Sequence, residues 1–465
     1  MRPMRILASL SLIVIAAGLA GAQATGPAKT RSRKAAAASA LVRPPQVVVQ
    51  RAALANGLRI LMVEDHSAPV VNLQVWYHVG SKDERPGRTG FAHLFEHMMF
   101  KGSTHVPPET HSRVVEAAGG FDNAYTNDDV TVYWQTFPSS YLERMLWLEA
   151  DRMGGLKIDE GNFKSEREVV KEERRTGVDN PPYGKVIEDL YDAAFDVHPY
   201  KHTTIGSMAD LDNARIEDVI EFHRTYYRPD NATLVIVGDF APAQAVAWTR
   251  KFFGGIPRPA QPAPRVTVKE PPQSAEKRLT KWYGNNSPLP GVIAGYRVPA
   301  VCTPDSYALN LASNILSTGE SSRLYRQLVY EDQIAAQTAG FGNFTEHPNL
   351  FWAFAIMNPG KSAGEGEKAI DAQLERMKTT PVSKQELEKA KNQVISQLIL
   401  SRQTVQQKAD ALGGRAVLCG DPALINLELD RYLAVTAADI QRVARKYFVP
   451  AQRTVLVIEP PRESK

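Results

Sequence analysis

Two histidines and a glutamate stand close together in the run His93-Leu94-Phe95-Glu96-His97. On a helix, histidines four residues apart lie on one face, one turn apart, where both imidazoles reach a single ion. Neutral imidazole is a good zinc ligand. Glu96 projects toward the same cavity, where it can take a proton from a zinc-bound water and return it to a leaving amine. The spacing therefore predicts a hydrolytic zinc site.

A catalytic zinc ion has three protein ligands and one open position, so a third ligand is expected from elsewhere in the chain. A predicted helix offers an acidic cluster: Glu166, Glu168, Glu172 and Glu173. Glu166 and Glu173 are seven residues apart and share a helical face, but spacing alone does not choose among the four. A chance His-x-x-Glu-His run is expected on the order of once in a hundred such chains. The competing interpretation is a pair of helical histidines satisfied by surface carboxylates.

Other chemistries lack support in the sequence. The ordinary zincin order His-Glu-x-x-His, a Gly-x-Ser-x-Gly nucleophile turn and a phosphate-binding Gly-x-x-x-x-Gly-Lys-Ser/Thr loop are all absent. The 465 residues carry a net charge of only +4, with no long basic stripe, which argues against a nucleic-acid partner. Apolar content of 43% and charged content of 23% are typical of globular domains, and the length predicts two or more of them.

The amino terminus has the pattern of a secretory signal peptide over residues 1–24. Arg2 and Arg5 precede an apolar run at 6–19, and small residues follow at a cleavage site. We therefore expect a periplasmic or otherwise exported protein without a stable membrane span after cleavage; an uncleaved anchor is the alternative. Export would permit a disulfide between Cys302 and Cys419. Two buried cysteines without a disulfide are an equally good interpretation.

The rest of the chain predicts a flexible basic leader at 25–45, a zinc-binding domain at 46–256, a proline-rich linker at 257–273 and a second domain at 274–465. Strands are predicted at 58–63, 70–79, 130–137 and 233–237, and helices at 91–100, 140–153 and 162–194.

The two predicted domains share a sequence pattern. Tyr226 and Tyr447 each end a helix that leads into an apolar strand, and Asp218 and Asp439 precede them by the same distance. The constant offset between the two sets indicates a duplicated domain. Coincidence between two ordinary helix-to-strand junctions is the alternative.

The run Gly90–Ser103, which contains the histidine motif, resembles that of the insulinase/pitrilysin family of zinc metallopeptidases, the inverzincins. The resemblance is to the bacterial branch similar to the mitochondrial processing peptidase. It continues through 123–126 and 166–173 and covers the chain from about residue 45 onward.

The resemblance implies roles that spacing leaves open. Glu173 follows His97 at the distance at which the family has its third zinc ligand, with one zinc ion per chain. Glu166 matches an acidic position that supports the site, although a solvated helical carboxylate is its plain interpretation. Asn123 and Ala124 match the segment that lies along an extended peptide substrate by strand addition; for Asn123 a turn residue is the alternative.

The implied fold is α+β: two homologous domains, each a mainly antiparallel sheet covered by helices, forming half of a clamshell. Full-length relatives carry an Arg/Tyr pair in the far half of the clamshell, whereas Val329 and Ala336 stand at those places here. The second domain also has Asn314-Ile315-Leu316-Ser317-Thr318 in place of the zinc motif, which predicts a non-catalytic copy. The expected partner is an inactive homologous subunit that supplies the pair in a heterodimer; a homodimer would lack it.

Three functional hypotheses follow. The first is an exported zinc-dependent endopeptidase that hydrolyses extended peptides or unfolded segments, with Glu96 activating the water. The second is a non-catalytic structural or peptide-binding subunit, in which the base Glu96 would have no chemical purpose. The third is a zinc hydrolase of a non-peptide substrate, which only the generality of zinc chemistry supports.

Overall fold

The computed structural model describes residues 43–459. The expected signal peptide and the leader up to residue 42 lie outside the described residues. Two sheets form the framework of the described part. The strands of the first sheet are β1 (Gln50–Ala53), β2 (Arg59–Glu64), β3 (Val70–Tyr77), β4 (Phe121–Thr126), β5 (Thr131–Pro138) and β6 (Ala232–Gly238). The strands of the second sheet are β7 (Lys277–Lys281), β8 (Gly291–Val298), β9 (Ala335–Gly342), β10 (Asn349–Met357) and β11 (Arg453–Ile458).

The two sheets repeat one topology. The first has the order β1-β2-β6-β3-β5-β4 and the second the order β7-β11-β8-β10-β9. In each sheet a single pair is parallel, β2 with β6 and β7 with β11, and the other neighbours are antiparallel. The last five strands of the first sheet therefore match the five of the second in order and direction.

Helices cover these sheets. Those of the first half are α1 (Phe91–Met98), α2 (Thr110–Ala117), α3 (Leu142–Gly155), α4 (Glu160–Arg174), α5 (Val186–Ala194), α6 (Met208–Asp212), α7 (Ile216–Tyr226) and α8 (Pro242–Phe253). Those of the second half are α9 (Pro304–Ser317), α10 (Ala363–Thr379), α11 (Lys384–Leu400), α12 (Val405–Leu418), α13 (Leu424–Ala434) and α14 (Ala437–Tyr447). Among these described helices none is long and apolar enough to cross a membrane.

The predicted duplication is visible in the elements themselves. Helix α7 and helix α14 have the same length, so their first and last residues are separated by one constant offset. The strands that follow them, β6 and β11, occupy the same place in their sheets and begin at the same offset. This confirms the α+β fold class with two homologous, mainly antiparallel domains.

Each half also covers the other half's sheet. Leu190 of α5 is buried in a cluster with Ile293 and Leu456 of the second sheet. Leu412 of α12 is buried in a cluster with Trp76 and Val235 of the first sheet. Strands β3 and β6 are consequently buried on both faces. Strand β6 is nearly continuously apolar, as expected between two helix layers, and β3 is apolar apart from the buried Asn72 and Gln74. Because each half contributes a helix to the other half's sheet, the two halves pack as one body.

Three further predictions have structural outcomes. The proline-rich segment 257–273 contains no helix or strand, and Arg265 within it donates 2.7 Å and 2.6 Å hydrogen bonds to His78 and Asn231. Cys302 and Cys419 form a disulfide with a Cα–Cα distance of 6.0 Å. The helix predicted over 162–194 is broken: α4 ends in a π-helical turn at Arg175–Asp179, just before two prolines that cannot continue it.

Candidate metal centre

Helix α1 presents the two histidines of the motif. It begins after Gly90, whose φ of +89° only glycine adopts easily. The buried carboxylate of Glu84 accepts hydrogen bonds from the backbone N–H groups of Gly90 at 2.9 Å and Ala92 at 2.7 Å. Two amides that the first helical turn leaves without partners are thereby satisfied by one buried carboxyl group. Glu84 therefore sets where α1 begins.

Helix α4 crosses α1 and brings the acidic cluster to the histidines. Its buried residues follow a helical spacing and make one face toward the core: Phe163, Glu166, Val170 and Arg174. Glu168 and Glu172 lie on the outer side, where their side chains are 53% and 62% exposed, and pair with Lys171 and Arg175. The packing thus separates the four glutamates into two that face α1 and two that face solvent.

One carboxylate oxygen of Glu173 lies between the two imidazoles. Glu173 Oε2 is 3.6 Å from His93 Nε2 and 3.4 Å from His97 Nε2. The two rings are nearly perpendicular, at 89°, with centroids 4.9 Å apart. Among the described residues this is the group of three whose ligand atoms converge, all within 4.8 Å of one another.

The three residues fit a zinc ion. Two ligand atoms bound at about 2.1 Å to one tetrahedral ion lie about 3.4 Å apart, which matches the nitrogen–oxygen separations here. Glu173 Oε2 is buried without a hydrogen-bond partner, an arrangement that costs about 1–3 kcal/mol unless something else binds the atom. Two nitrogens and one carboxylate oxygen also form the donor set of catalytic zinc sites.

Glu166 supports His97 from the other side of the ring. Its Oε2 lies 3.5 Å from His97 Nδ1, while its Oε1 lies 3.0 Å from Lys101 Nζ. A carboxylate at Nδ1 fixes the orientation and tautomer of the ring and leaves Nε2 to face Glu173. His93 has no such support, because its Nδ1 is buried without a hydrogen-bond partner.

The local charges act differently on the two histidines. Burial and the neighbouring His97 lower the pKa of His93 to about 4. Burial also opposes a charge on His97, but the carboxylates of Glu166 and Glu173 outweigh it and raise the pKa of His97 to about 9. The same contacts lower the pKa values of Glu166 and Glu173 although burial opposes this, so both carboxylates stay ionised.

Glu96 is buried beside the three converging residues. Burial raises its pKa, and a hydrogen bond of 2.6 Å from the hydroxyl of Thr126 opposes that rise. A carboxylate with a raised pKa holds a proton more readily, which suits a group that must accept one and release it. Sequence reasoning gave no role to Thr126 or Glu84; the only hint of Thr126 was its place in the run 123–126.

Asn123 and Ala124 lie on β4, the edge strand of the first sheet, three and two residues before Thr126. Asn123 is exposed, and its side chain accepts a 2.8 Å hydrogen bond from the N–H of Ala124. Ala124 is half-buried and packs against the core. The structure thus places both residues on the strand whose last residue, Thr126, contacts Glu96, and one side of that strand is unpaired among the described residues.

The second domain lacks this constellation. The offset that relates α7 to α14 places Asn314, Ser317 and Thr318 where His93, Glu96 and His97 stand. Asn314 Oδ1 accepts a 2.8 Å hydrogen bond from Thr318, and Ser317 Oγ accepts one from the backbone N–H of Gly340. The equivalent of the motif thus makes internal hydrogen bonds, as expected of a non-catalytic copy.

Comparison with known proteins gives a consistent result. Residues 59–208 match the profile described as Insulinase (Peptidase family M16), and residues 213–394 match the one described as Peptidase M16 inactive domain. The chain is 32% identical over 409 residues to the zinc protease PqqE of Helicobacter pylori, which covers 88% of this chain and 92% of that protein.

Solved structures share the fold. A protease from Helicobacter pylori matches with a TM-score of 0.86 at 30% identity, covering 89% of this chain and 100% of that one. The periplasmic protease PqqL from Escherichia coli matches with a TM-score of 0.72 at 18% identity, covering 90% of this chain but 48% of that one. At 18% identity the PqqL match shows a shared fold, and the described fold corresponds to about half of that longer chain.

Proposed function

Because this chain belongs to the insulinase family of peptidases, peptidase family M16, we propose that it is an exported zinc-dependent endopeptidase. The observation that carries the proposal is the convergence of His93, His97 and Glu173, with the base Glu96 buried beside them. Glu166 supports the site through His97. The single converging set among residues 43–459 supports one zinc ion per chain in this proposal.

The residues divide the chemistry among them. A bound zinc ion polarises the scissile carbonyl and lowers the pKa of a neighbouring water. The carboxylate of Glu96 takes the proton of the attacking water and then delivers it to the leaving amine nitrogen. Thr126 keeps that carboxylate aimed by its hydrogen bond.

The edge strand β4 supports a peptide as substrate. Its outer backbone N–H and C=O groups have no strand partner among the described residues, so an extended peptide can add as a further strand. Asn123 and Ala124 would lie along that peptide, next to Glu96. Strand addition requires an extended backbone with free N–H and C=O groups, and it therefore favours peptides or unfolded chains over folded proteins.

A partner subunit completes the site in this proposal. Val329 is half-buried against the core of the second domain, and Ala336 is exposed. Both side chains are apolar, so neither can take the place of the Arg/Tyr pair. Arg323 nearby is occupied by a bidentate pair with Glu386, at 2.7 Å and 3.1 Å. The described fold also covers about half of the longer PqqL chain. An inactive homologous subunit that supplies an Arg/Tyr pair would form the other half.

Export is the remaining part of the proposal. A disulfide between Cys302 and Cys419 is typical of proteins from oxidising compartments. The signal-peptide pattern at 1–24 agrees with this. Retention of the full-length chain in a reducing cytoplasm, with free thiols at both cysteines, would contradict it.

The test is peptide cleavage with and without a co-expressed homologue that carries the Arg/Tyr pair. We expect cleavage of a quenched fluorescent peptide by the pair, little cleavage by the chain alone, and a loss of about 10²-fold or more in Glu96→Gln. Equal cleavage by wild type and Glu96→Gln would contradict the mechanism. Full activity of the chain alone would remove the partner. Zinc bound without any cleavage in either setting would favour the non-catalytic subunit instead.

Metal analysis tests the third ligand separately. Glu173→Gln should reduce zinc binding strongly, whereas Glu172→Gln, on the solvent-facing side of α4, should not. Undiminished zinc in Glu173→Gln would move the ligand to another carboxylate.

A further inference from the structure

Arg174 follows the carboxylate ligand directly and is the last residue of α4. Its side chain is only 8% exposed and forms a bidentate pair with Glu188 of α5, at 2.6 Å and 3.0 Å. Successive helical residues project about 100° apart. Arg174 therefore binds α5 while its neighbour Glu173 faces the histidines.

The same guanidinium reaches a second partner, the backbone carbonyl of Gly206. Gly206 has a φ of +71°, and a side chain there would collide with the backbone of Thr89 and Gly90. A side chain at Gly90 would in turn lie 2.7 Å from the carbonyl of Ile205. Two glycines are required because two backbones lie in direct contact at this point.

Hydrogen bonds hold this contact together. The N–H of Ser207 donates to Thr89 Oγ1 at 2.9 Å, and the Thr89 hydroxyl donates to Asp210 Oδ2 at 2.5 Å. The next residue, Gly90, is the N-cap of α1 and precedes His93 by three residues. The hydroxyl of Thr203, in the same loop, donates a 3.1 Å hydrogen bond to Glu188. The loop 203–207 thus contacts both the end of α4, through Arg174 and its partner Glu188, and the start of α1, through Thr89.

We propose that Arg174 is a positioning residue for the metal centre. By binding Glu188 and the Gly206 carbonyl together, it holds the end of α4 against the start of α1, so that Glu173 stays within reach of both imidazoles. The proposal rests on the proposed function only in taking the three converging residues as zinc ligands. Lysine would not replace Arg174, because its single ammonium lacks the planar fork that binds a carboxylate and a carbonyl at once.

A purely structural role for Arg174 makes a different prediction. If Arg174 only stabilised the fold, its loss would lower the stability of the metal-free chain and leave the zinc affinity of the folded fraction unchanged. A positioning role changes the zinc affinity itself. Loss of groups that orient ligands typically weakens metal binding 10- to 100-fold.

The experiment compares Arg174→Lys and Arg174→Gln with matched changes at Arg323 in the full chain. Arg323 has the same 8% side-chain exposure and also forms a bidentate pair, with Glu386, but it lies in the second domain. Zinc dissociation constants are measured by chelator competition, ligand geometry by the visible absorption of bound Co²⁺, and stability by denaturant unfolding of the metal-free chain.

We expect the Arg174 variants to bind zinc 10- to 100-fold more weakly with an altered Co²⁺ spectrum, and the Arg323 variants to match wild type in both. Wild-type zinc affinity and an unaltered spectrum in Arg174→Lys would overturn the positioning role. If the Arg174 variants do not fold, Glu188→Gln decides, because it keeps the side-chain shape and should weaken zinc binding in the same direction. Absence of zinc binding by wild type itself would instead contradict the proposed function.

Discussion

The hydroxyl of Thr126 donates a hydrogen bond of 2.6 Å to Glu96 Oε2. Thr126 is the last residue of β4, so this bond connects the proposed base to a strand whose outer edge is unpaired among the described residues. A peptide that adds to β4 would therefore be aligned with the base through one strand. Among the contacts around the motif, this one links substrate position to chemistry most directly.

Replacing Thr126 with valine should lower kcat by roughly tenfold, because the carboxylate of Glu96 loses its one side-chain donor among residues 43–459 and is free to rotate. KM and zinc content should remain near wild type, since valine can keep the extended backbone of β4 and the substitution does not alter His93, His97 or Glu173. Steady-state cleavage of a fluorescent peptide by the assembled enzyme measures both constants. Thr126→Ser is the control, because it keeps the hydroxyl and should retain most of kcat. Equal kcat values in the two variants would contradict the role.

Replacing Glu166 with glutamine should weaken zinc binding about 10- to 100-fold, because His97 loses the carboxylate that orients its ring. Glu168→Gln is the matched control on the same helix, since its side chain is 53% exposed and faces away from α1. Competition with a zinc chelator gives both affinities. Identical affinities in the two variants would return Glu166 to the role of an ordinary helical carboxylate.

The contact between the two halves should contribute a pH-dependent part of the stability. Burial raises the pKa of Glu346, but the hydrogen bond from His78 and the charge of Lys82 lower it to about 2, below its ordinary 4.5. A lowered carboxyl pKa stabilises the folded state above the ordinary value, and the contribution disappears as pH falls through the folded value. Its upper limit is about 3 kcal/mol.

Glu346→Gln should therefore be less stable than wild type at pH 7, and the difference should shrink between about pH 4.5 and pH 2. Denaturant unfolding at several pH values measures it. Glu388→Gln, on the exposed side of α11, provides a surface control. A difference that stays constant across this range would show that ionisation of Glu346 contributes nothing.

Removal of the disulfide should destabilise the chain without disturbing the metal. Cys302 and Cys419 are 117 residues apart, and closing a loop of that length stabilises a fold by about 4–5 kcal/mol in the chain-entropy model. The double variant Cys302→Ser, Cys419→Ser should therefore unfold at lower denaturant concentration, with unchanged zinc affinity. Zinc binding that weakens in parallel would show that the second domain controls the ligand geometry.

Much of the fold was accessible from sequence. The strands near 58–63 and 130–137 and the helix beginning at 91 were predicted to within about two residues, because their apolar spacing is regular. The helix over 162–194 was predicted as continuous, because helical periodicity is present on both sides of Pro181 and Pro182. In the structure the α-helix ends before these prolines, in a π-helical turn at 175–179. The packing of α5 on the second sheet and of α12 on the first was not predicted, because the apolar face of a helix does not indicate which sheet it covers.

The sequence by itself determined that His93 and His97 share one helical face with Glu96 beside them, because helical periodicity fixes the directions of side chains four residues apart. It also determined the duplication, because the helix-to-strand junction at Tyr226 recurs at Tyr447 with the same internal spacing. Its resemblance to a known family indicated Glu173 as the third ligand.

Only the tertiary structure decided which carboxylates face the histidines. Glu166 and Glu173 lie against α1 and Glu168 and Glu172 face solvent, because α4 crosses α1 with one face buried. The partners Thr126 and Arg174 also emerged only there. The Thr126–Glu96 and Arg174–Gly206 contacts join residues 30 and 32 apart in the chain, and their meeting depends on how the helices and the edge strand pack together and on no local pattern.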